Sequence, residues 1–197
     1  MTAAIEIFRG NDFAPYLKRL SQMRMTHYRG YPYLYEGSDD YEHEYIADFP
    51  NNQHSIMVGA FESGELEGFV LGTPLEGDSP ILASISDKVH RRATTYYIAD
   101  IILNSGLRAQ RISETLMNTI EREIISLGYK QICFLTVFRP ENHPTRPPGY
   151  VESRALWERF GYVKQPAKLT YDWASLNAAG NLTMQTHEMN LWSKIII

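Results

Sequence analysis

The stretch from Tyr96 to Leu127, YYIADIILNSGLRAQRISETLMNTIEREIISL, predicts a strand, a short polar turn and a long amphipathic helix. Its first part is rich in β-branched and aromatic residues, and its last part repeats apolar residues at three- or four-residue steps. The first turn of a helix has unpaired backbone N–H groups and the positive end of the helix dipole. The stretch therefore predicts an anion site at the turn, suited to a pyrophosphate.

The composition restricts the class of protein. The chain has 197 residues, of which 44% are hydrophobic, and this predicts one folded domain over residues 1–197. A net charge of −4 argues against a nucleic-acid partner, and no apolar run approaches the roughly 20 residues that span a membrane. Cys133 is the single cysteine, which excludes an intrachain disulfide framework. Together with a first segment that does not resemble a secretory signal, it favours a cytoplasmic protein.

The remaining patterns predict the element order β-α-α-β-β-β-α-β-α-β-β. Strands are predicted at 5–8, 55–61, 66–72, 95–103, 131–137, 168–173 and 187–192, and helices near 13–23, 39–49, 112–127 and 153–160. Asn11 or Asp12 is a candidate cap for the first helix. Because hairpin strands precede the helical crossover, a mixed sheet is favoured over a purely parallel one. The edge strands near the C-terminus could pair between two copies, so a homodimer stays open.

The turn Arg108-Ala109-Gln110-Arg111-Ile112-Ser113 resembles the phosphate-cradling turn of the GNAT superfamily, the acyl-CoA-dependent N-acetyltransferases. The usual form of that turn is [Gln/Arg]-x-x-Gly-x-[Gly/Ala]. Arg108 fits the first position, whereas Arg111 and Ser113 stand where small residues are usual.

Further stretches carry the same resemblance. The segment 155–162, ALWERFGY, is similar to the Ala-x-x-Leu-Tyr-x-x-x-Gly-Phe region of the superfamily, with Trp157 at the tyrosine position, and 189–194 is similar to its last strand. The loop 137–150, VFRPENHPTRPPGY, resembles a bacterial subgroup with an Arg-Pro-x-x-His-Pro-x-Arg-Pro loop, and 32–37 is similar to the early loop of that subgroup.

The resemblance implies an α/β (α+β mixed sheet) fold of the GNAT type, with about seven strands in a central mixed sheet flanked by about four helices. It implies an acyltransferase (EC 2.3.1.-) that transfers an acetyl group from acetyl-CoA, by direct attack, to a primary amine of an unidentified small molecule or peptide. The alternative is a catalytically impaired GNAT-fold module that binds a ligand or a protein. Arg111, Ser113 and Trp157 favour that alternative because they depart from the family pattern.

The resemblance also implies a cofactor site. Backbone groups of the central strand would pair with the pantetheine arm, and N–H groups of the turn would hold the pyrophosphate. These residues are Ile101, Ile102, Leu103, Arg108, Ala109, Gln110, Arg111, Ile112 and Ser113. No metal is predicted, because the histidines lack the spacing of metal ligands.

Asp100 is the candidate general base, because a carboxylate inside an apolar strand is costly to bury unless it is paired or has a function. Related proteins have a glutamate at the matching position, and a buried aspartate bonded to a hydroxyl or a backbone group is the alternative. Tyr150 is the candidate proton donor to the leaving thiolate, since Trp157 cannot titrate. The alternative for Tyr150 is packing of the loop against a helix.

His143 and Arg146 lie in a loop stiffened by prolines. His143 is a second candidate base, and Arg146 is a candidate for binding a substrate carboxylate through two hydrogen bonds. The alternative is that both residues brace the loop against the sheet. Tyr33, from an early tyrosine-rich segment, is a candidate wall of the acceptor pocket, with packing between two early helices as the alternative.

Overall fold

The computed structural model describes residues 3–76, 80–89, 91–108, 111–176 and 181–196. The strands are β1 (Ala4–Arg9), β2 (Ile56–Glu62), β3 (Glu65–Pro74), β4 (Thr95–Leu103), β5 (Gln131–Val137), β6 (Val163–Leu176) and β7 (Leu182–Ile195). The helices are α1 (Leu17–Tyr28), α2 (Asp39–Ala47), α3 (Pro80–Ser86), α4 (Ser105–Arg108), α5 (Ile112–Ser126) and α6 (Arg154–Arg159). None of these helices is long and apolar enough to cross a membrane, within the ranges just given.

One seven-stranded sheet runs in the order β1-β2-β3-β4-β5-β7-β6. Its pairs are antiparallel except for β4 with β5, which are parallel and are joined through α5. The predicted mixed sheet of seven strands is confirmed. The single domain over 1–197 and the homodimer stay predictions.

The elements differ from the predicted ones where the hydrophobic signal is weak. The strands β6 and β7 are 14 residues each, and most of the residues beyond the predicted cores at 168–173 and 187–192 are exposed or half-buried. The short helix α3 contains Leu82, near which the sequence predicts a helical turn within a connector over 73–92, and α4 lies in the polar turn before α5. The predicted cap at Asn11 or Asp12 is wrong, because a 3₁₀ turn containing Pro15 occupies Gly10–Tyr16 and α1 begins only at Leu17.

The central strands β4 and β5 pair over only four residues, from Thr95 opposite Gln131 to Ile98 opposite Phe134. Beyond that point β4 continues along β3 to Leu103, and β5 continues along β7. The facing edges of β4 and β5 therefore diverge inside the sheet. Each edge has backbone groups there that the neighbouring central strand does not use.

A β-bulge lies in β4 next to this divergence. Leu71 of β3 is opposite Asp100, while the next residue, Gly72, is opposite Ile98. Ala99 is therefore an extra residue, and a bulge of this kind changes the face to which the following side chains point.

The bulge places Asp100 on the face covered by α1 and α2. Ile98 belongs to the core cluster under α5, and simple alternation would place Asp100 there as well. After the extra residue, Ile101 packs on the α5 side, whereas Ile102 belongs to the cluster with α1 and α2. Asp100 accordingly hydrogen-bonds to side chains of α1.

Candidate active site

A cleft of about 300 Å³ occupies the gap between the diverging strands. Its walls come from both faces of the sheet. Ile98, Ile101 and Trp157 belong to the α5 side, and Tyr28 and Asp100 face the α1 side. The cleft therefore crosses the sheet, and two reactants can approach it from opposite faces.

Asp100 is 2% exposed and lines this cleft. Its Oδ1 accepts a hydrogen bond from the Tyr28 hydroxyl at 2.8 Å and another from Nη1 of Arg24. Its Oδ2 has no hydrogen-bond partner within the described ranges. A buried carboxylate oxygen without a donor is costly, so this atom is suited to receive a proton or an N–H group from a bound molecule.

Arg24 connects two carboxylates in a buried network that sequence reasoning missed. Its Nε donates to Oε2 of Glu42 at 2.6 Å, and Glu42 accepts at Oε1 from the Tyr35 hydroxyl at 2.8 Å. Arg24 is 7% exposed and Glu42 is fully buried. Burial alone would lower the pKa of Arg24, but Asp100, Tyr45 and Glu42 raise it well above its usual value. Two carboxylates and one guanidinium leave a net charge of −1 beside the cleft.

Tyr33 and Tyr150, the candidate acceptor wall and the candidate proton donor, both line the cleft. The Tyr33 ring packs on Tyr28 with ring centres 4.3 Å apart, and the Tyr150 ring meets Tyr31 edge-on at 4.6 Å. Burial raises the pKa of Tyr150, and Tyr31 and Glu152 raise it further. The Tyr150 hydroxyl has a proton at neutral pH, as any tyrosine does, and the raised pKa makes it a weaker acid than a free tyrosine.

Trp157 lies on the opposite wall, 8% exposed, with its ring centre 4.9 Å from that of Phe134. Its Nε1–H is buried and has no acceptor among the described residues. The indole cannot titrate, but it offers one free hydrogen-bond donor to a molecule in the cleft.

The structure does not bring His143 or Arg146 to the lining of this cleft. Nδ1 of His143 accepts from the backbone N–H of Thr145 at 3.3 Å, and His143 lines a second cavity of about 270 Å³. Arg146 pairs with Glu152 at 3.2 Å and covers the Tyr150 ring at 5.4 Å. These contacts support the loop-bracing alternative for both residues.

Arg139 of the same loop contacts the site instead, and sequence reasoning did not single it out. Its Nε donates to the Pro32 carbonyl at 2.7 Å, its Nη2 donates to the Tyr33 carbonyl at 3.1 Å, and its Nη1 is 2.9 Å from Nδ1 of His187. Arg139 lines both the cleft and the second cavity. It therefore fixes the early tyrosine-rich loop to β7.

The predicted phosphate turn lies between α4 and α5. Arg111 is exposed and has φ of +56°, a left-handed conformation that favours glycine. The backbone thus keeps the conformation suited to the glycine of the family pattern, although the residue is arginine. Among the described residues no side chain caps α5, and Ile112 and Ser113 form its first turn. Ala109, Gln110 and the side chain of Arg108 lie outside the described part of the chain.

The other predicted cofactor residues, Ile101, Ile102 and Leu103, form the end of β4. Ile102 and Leu103 pair with β3 on one edge, opposite Phe69 and Gly68. The other edge of Ile101 and Ile102 lies beyond the last β4–β5 pair, so these two residues can add an extended ligand as a further strand. No group of three or more His, Cys, Asp or Glu side chains suited to a metal occurs among the described residues.

Arg111→Gly is expected to raise the free energy of unfolding by about 0–1 kcal/mol, because it removes the left-handed strain but adds backbone entropy to the unfolded chain. Affinity for acetyl-CoA is expected to stay the same or rise, since the N–H groups of the turn remain. Ser63→Gly is the matched control, because Ser63 has φ of +53° in the β2–β3 hairpin, far from α5 along the chain. Thermal melts and cofactor titrations of both variants check this. A severe loss of affinity in Arg111→Gly alone would show that the guanidinium itself holds the phosphate.

The comparisons with known proteins agree with this geometry. The model of the acetyltransferase (GNAT) family matches residues 18–162, and the chain belongs to that family. It is an acyltransferase of the GNAT N-acetyltransferase type, and acetyl-CoA is the acetyl donor typical of the family. No curated protein sequence gives a significant match.

Three solved structures show the same fold. A polyamine N-acetyltransferase of Drosophila melanogaster is similar with a TM-score of 0.65 and 14% identity, covering 98% of this chain and 100% of that one. A phosphinothricin acetyltransferase of Sinorhizobium meliloti in complex with AcCoA is similar with a TM-score of 0.62 and 14% identity, covering 100% of this chain and 89% of that one. An N-acetyltransferase of Staphylococcus aureus is similar with a TM-score of 0.60 and 14% identity, covering 99% of each chain.

Proposed function

We propose that the protein transfers the acetyl group of acetyl-CoA to a primary amine, with Asp100 as the base. The observation that carries this proposal is the unpartnered Oδ2 of Asp100, buried where β4 and β5 diverge. An amine at physiological pH is protonated and must lose a proton before it attacks. The free oxygen receives that proton, directly or through one water molecule.

The residues present fit acetyl-CoA. The edge of β4 at Ile101 and Ile102, which lies beyond the pairing with β5, suits the amide groups of the pantetheine arm, and the start of α5 suits the pyrophosphate. The buried Nε1–H of Trp157 offers one more donor on the same side of the sheet. Bound acetyl-CoA supplies an activated acyl carbon and a thiolate leaving group.

The chain's own residues then have separate roles. Arg24 and Tyr28 both hydrogen-bond to Oδ1 of Asp100, which leaves Oδ2 as the atom that accepts the proton. The amine nitrogen forms a bond to the acyl carbon as the carbon–sulfur bond breaks, without an acyl-enzyme. Tyr150 donates its hydroxyl proton to the thiolate and regains a proton from the acetylated nitrogen, which loses its second proton as the neutral amide forms. The backbone N–H groups of β4 stabilise the oxyanion.

The acceptor is a small-molecule or peptide amine. Tyr33 forms part of its wall, on the side of the cleft that Asp100 faces. The loop at 137–150 is the basis for placing the chain in the bacterial subgroup with the Arg-Pro-x-x-His-Pro-x-Arg-Pro pattern. The acetyl donor of the Sinorhizobium meliloti relative, which was solved with AcCoA, supports the same donor here.

A titration with acetyl-CoA tests the proposal. A ligand at about 100 times its dissociation constant stabilises the native state by about 2.7 kcal/mol, which corresponds to a rise in Tm of roughly 5–10 °C for a chain of this size. Acetyl-pantetheine, which lacks the pyrophosphate, is the control and is expected to give a much smaller rise at equal concentration.

Release of free thiol with an amine panel then separates the two candidate functions. Binding together with thiol release supports the transferase. The alternative, a module that binds a ligand without turnover, is favoured by Trp157 at the family's tyrosine position. Binding without thiol release would support that alternative, and no change in Tm at millimolar acetyl-CoA would overturn the cofactor site itself.

A further inference from the structure

Arg139 is a half-buried cation with no acidic partner among the residues that the structure describes. Its three hydrogen bonds reach two neutral carbonyl groups and the ring of His187. Burial lowers the pKa of Arg139, and Tyr31 acts in the opposite direction. A guanidinium has five N–H groups, so two donors remain after these three bonds.

The two imidazole groups beside Arg139 add no negative charge. Burial, and then Arg139 itself, lower the pKa of His187 to about 4, so its imidazole is neutral at physiological pH. Burial and Arg139 also lower the pKa of His143, which lines the second cavity beside it. The other arginine that lines the cleft, Arg154, already pairs with Glu158 at 2.8 Å.

Arg139 lies where its positive charge can act on a molecule bound next to Asp100. It lines the same cleft as Asp100 and also lines the second cavity, so it lies at the border between the two spaces. The cleft thus contains one carboxylate oxygen that lacks a donor and one guanidinium that lacks an anion. A molecule that satisfies both must have a positive and a negative group.

We propose that the acceptor is an amine that also has an anionic group, and that Arg139 binds this group while the amine lies at Asp100. The inference rests on the transferase function proposed above and names its substrate class. A carboxylate and a phosphonate share the required chemistry, because both accept two parallel N–H bonds from a guanidinium. A polycation fits less well, since its second ammonium would meet Arg139.

Matched acceptor pairs test the substrate class. Glycine, β-alanine, 4-aminobutanoate and 6-aminohexanoate are compared with methylamine, ethylamine, propylamine and pentylamine, which lack only the carboxylate, and 3-aminopropylphosphonate replaces the carboxylate of 4-aminobutanoate. At the best chain length, the anionic member is expected to have a kcat/KM about 10–100-fold higher than its partner. Equal or better kcat/KM for the plain alkylamines at every length would overturn the proposal. The carboxylate and phosphonate members show which anion is preferred.

Variants of Arg139 test whether this residue binds the anionic group of the acceptor. Arg139→Gln is expected to lower kcat/KM for the anionic acceptor to that of its matched alkylamine, so that the 10–100-fold preference is lost. Because Arg139 also holds the loop of Tyr33, any loss that both acceptors share cancels in this ratio. Arg139→Lys keeps the positive charge but loses the planar guanidinium that donates two parallel N–H bonds, so it should keep part of the preference for the anionic acceptor. Arg154→Gln is the control, because it removes another cation of the same cleft and should leave the preference intact. A preference that survives Arg139→Gln would overturn the assignment.

A binding measurement separates failure of this inference from failure of the transferase function. Calorimetry with CoA-loaded protein compares 6-aminohexanoate with pentylamine, for the native chain and for Arg139→Lys, and needs no turnover. A preference for the anionic ligand that weakens in the variant supports the role of Arg139 even if no acetyl transfer occurs. Equal binding of the two ligands overturns it even if acetyl transfer is observed.

Discussion

Replacement of Asp100 with asparagine is expected to lower kcat for acetyl transfer by roughly 10²–10⁴-fold, the contribution usual for a positioned base. Asparagine keeps the size of the side chain but cannot take a proton from the amine. Affinity for acetyl-CoA should remain nearly unchanged, because the proposed donor contacts lie on β4 backbone and α5. Steady-state rates with the best acceptor, together with acetyl-CoA titration, measure both quantities.

Glu152→Gln is the matched control for this result. Glu152 is a second carboxylate that lines the cleft, but it is exposed and pairs with Arg146. Its replacement should change kcat by no more than a few fold. The loss in Asp100→Asn should also shrink as the pH rises toward the pKa of the amine, since more acceptor is then already deprotonated. An unchanged rate in Asp100→Asn would remove Asp100 as the base.

Arg24→Met is expected to lower the free energy of unfolding by about 3–5 kcal/mol, because it leaves Asp100 and Glu42 as buried carboxylates without their shared cation. Methionine has a similar length and fills most of the volume, so loss of packing makes a smaller contribution. Chemical denaturation of both proteins at neutral pH measures the difference.

Arg29→Met gives the reference for an exposed ion pair. Arg29 lies one turn further along the chain and pairs with Glu36 at 2.9 Å, but its side chain is 70% exposed. A change of less than about 1 kcal/mol is expected there. A similarly small change in Arg24→Met would mean that the buried network does not need its cation, and it would weaken the case that Arg24 orients Asp100.

Sequence-based prediction is most accurate for the strands that are buried on both faces of the sheet. The bounds of β4 and β5 agree residue for residue with the predicted strands at 95–103 and 131–137, because apolar side chains fill both strands almost without interruption. The apolar stripe at 112–127 likewise predicts the helix α5. The hairpin of β6 and β7 was underestimated because its outer part is largely exposed, so side-chain burial left no periodic signal there.

The buried charges were missed because their partners are distant along the chain. Arg24 and Asp100 are separated by 76 positions, and no local sequence pattern predicts their contact. A weak signal existed, since Arg24 follows Leu20 by one helical turn and Glu42 precedes Ile46 by one turn. A charged residue on the apolar stripe of a helix indicates a buried ion pair, and that rule applied to α1 and α2 identifies both residues.

The proline-rich loop shows a different limit. Its two arginines, Arg139 and Arg146, have similar sequence surroundings, and only the fold decides which one reaches the cleft. Arg139 directly follows the end of β5 and is held by carbonyl groups from the early loop, whereas Arg146 turns back onto its own loop. Contacts between segments more than 100 residues apart set this choice, which composition and spacing cannot reveal.

The bulge at Ala99 makes the chemistry proposed for this enzyme depend on how β4 pairs, and not only on which residues it contains. If Ala99 instead paired with β3 in regular alternation, Asp100 would share the face of Ile98 and the α5 core, and a hydrophobic neighbour would stand opposite Arg24. Every side chain would still be present, but the proposed proton acceptor would be on the other side of the sheet. One residue inserted into β4 without a β3 partner thus decides which helices its carboxylate can reach.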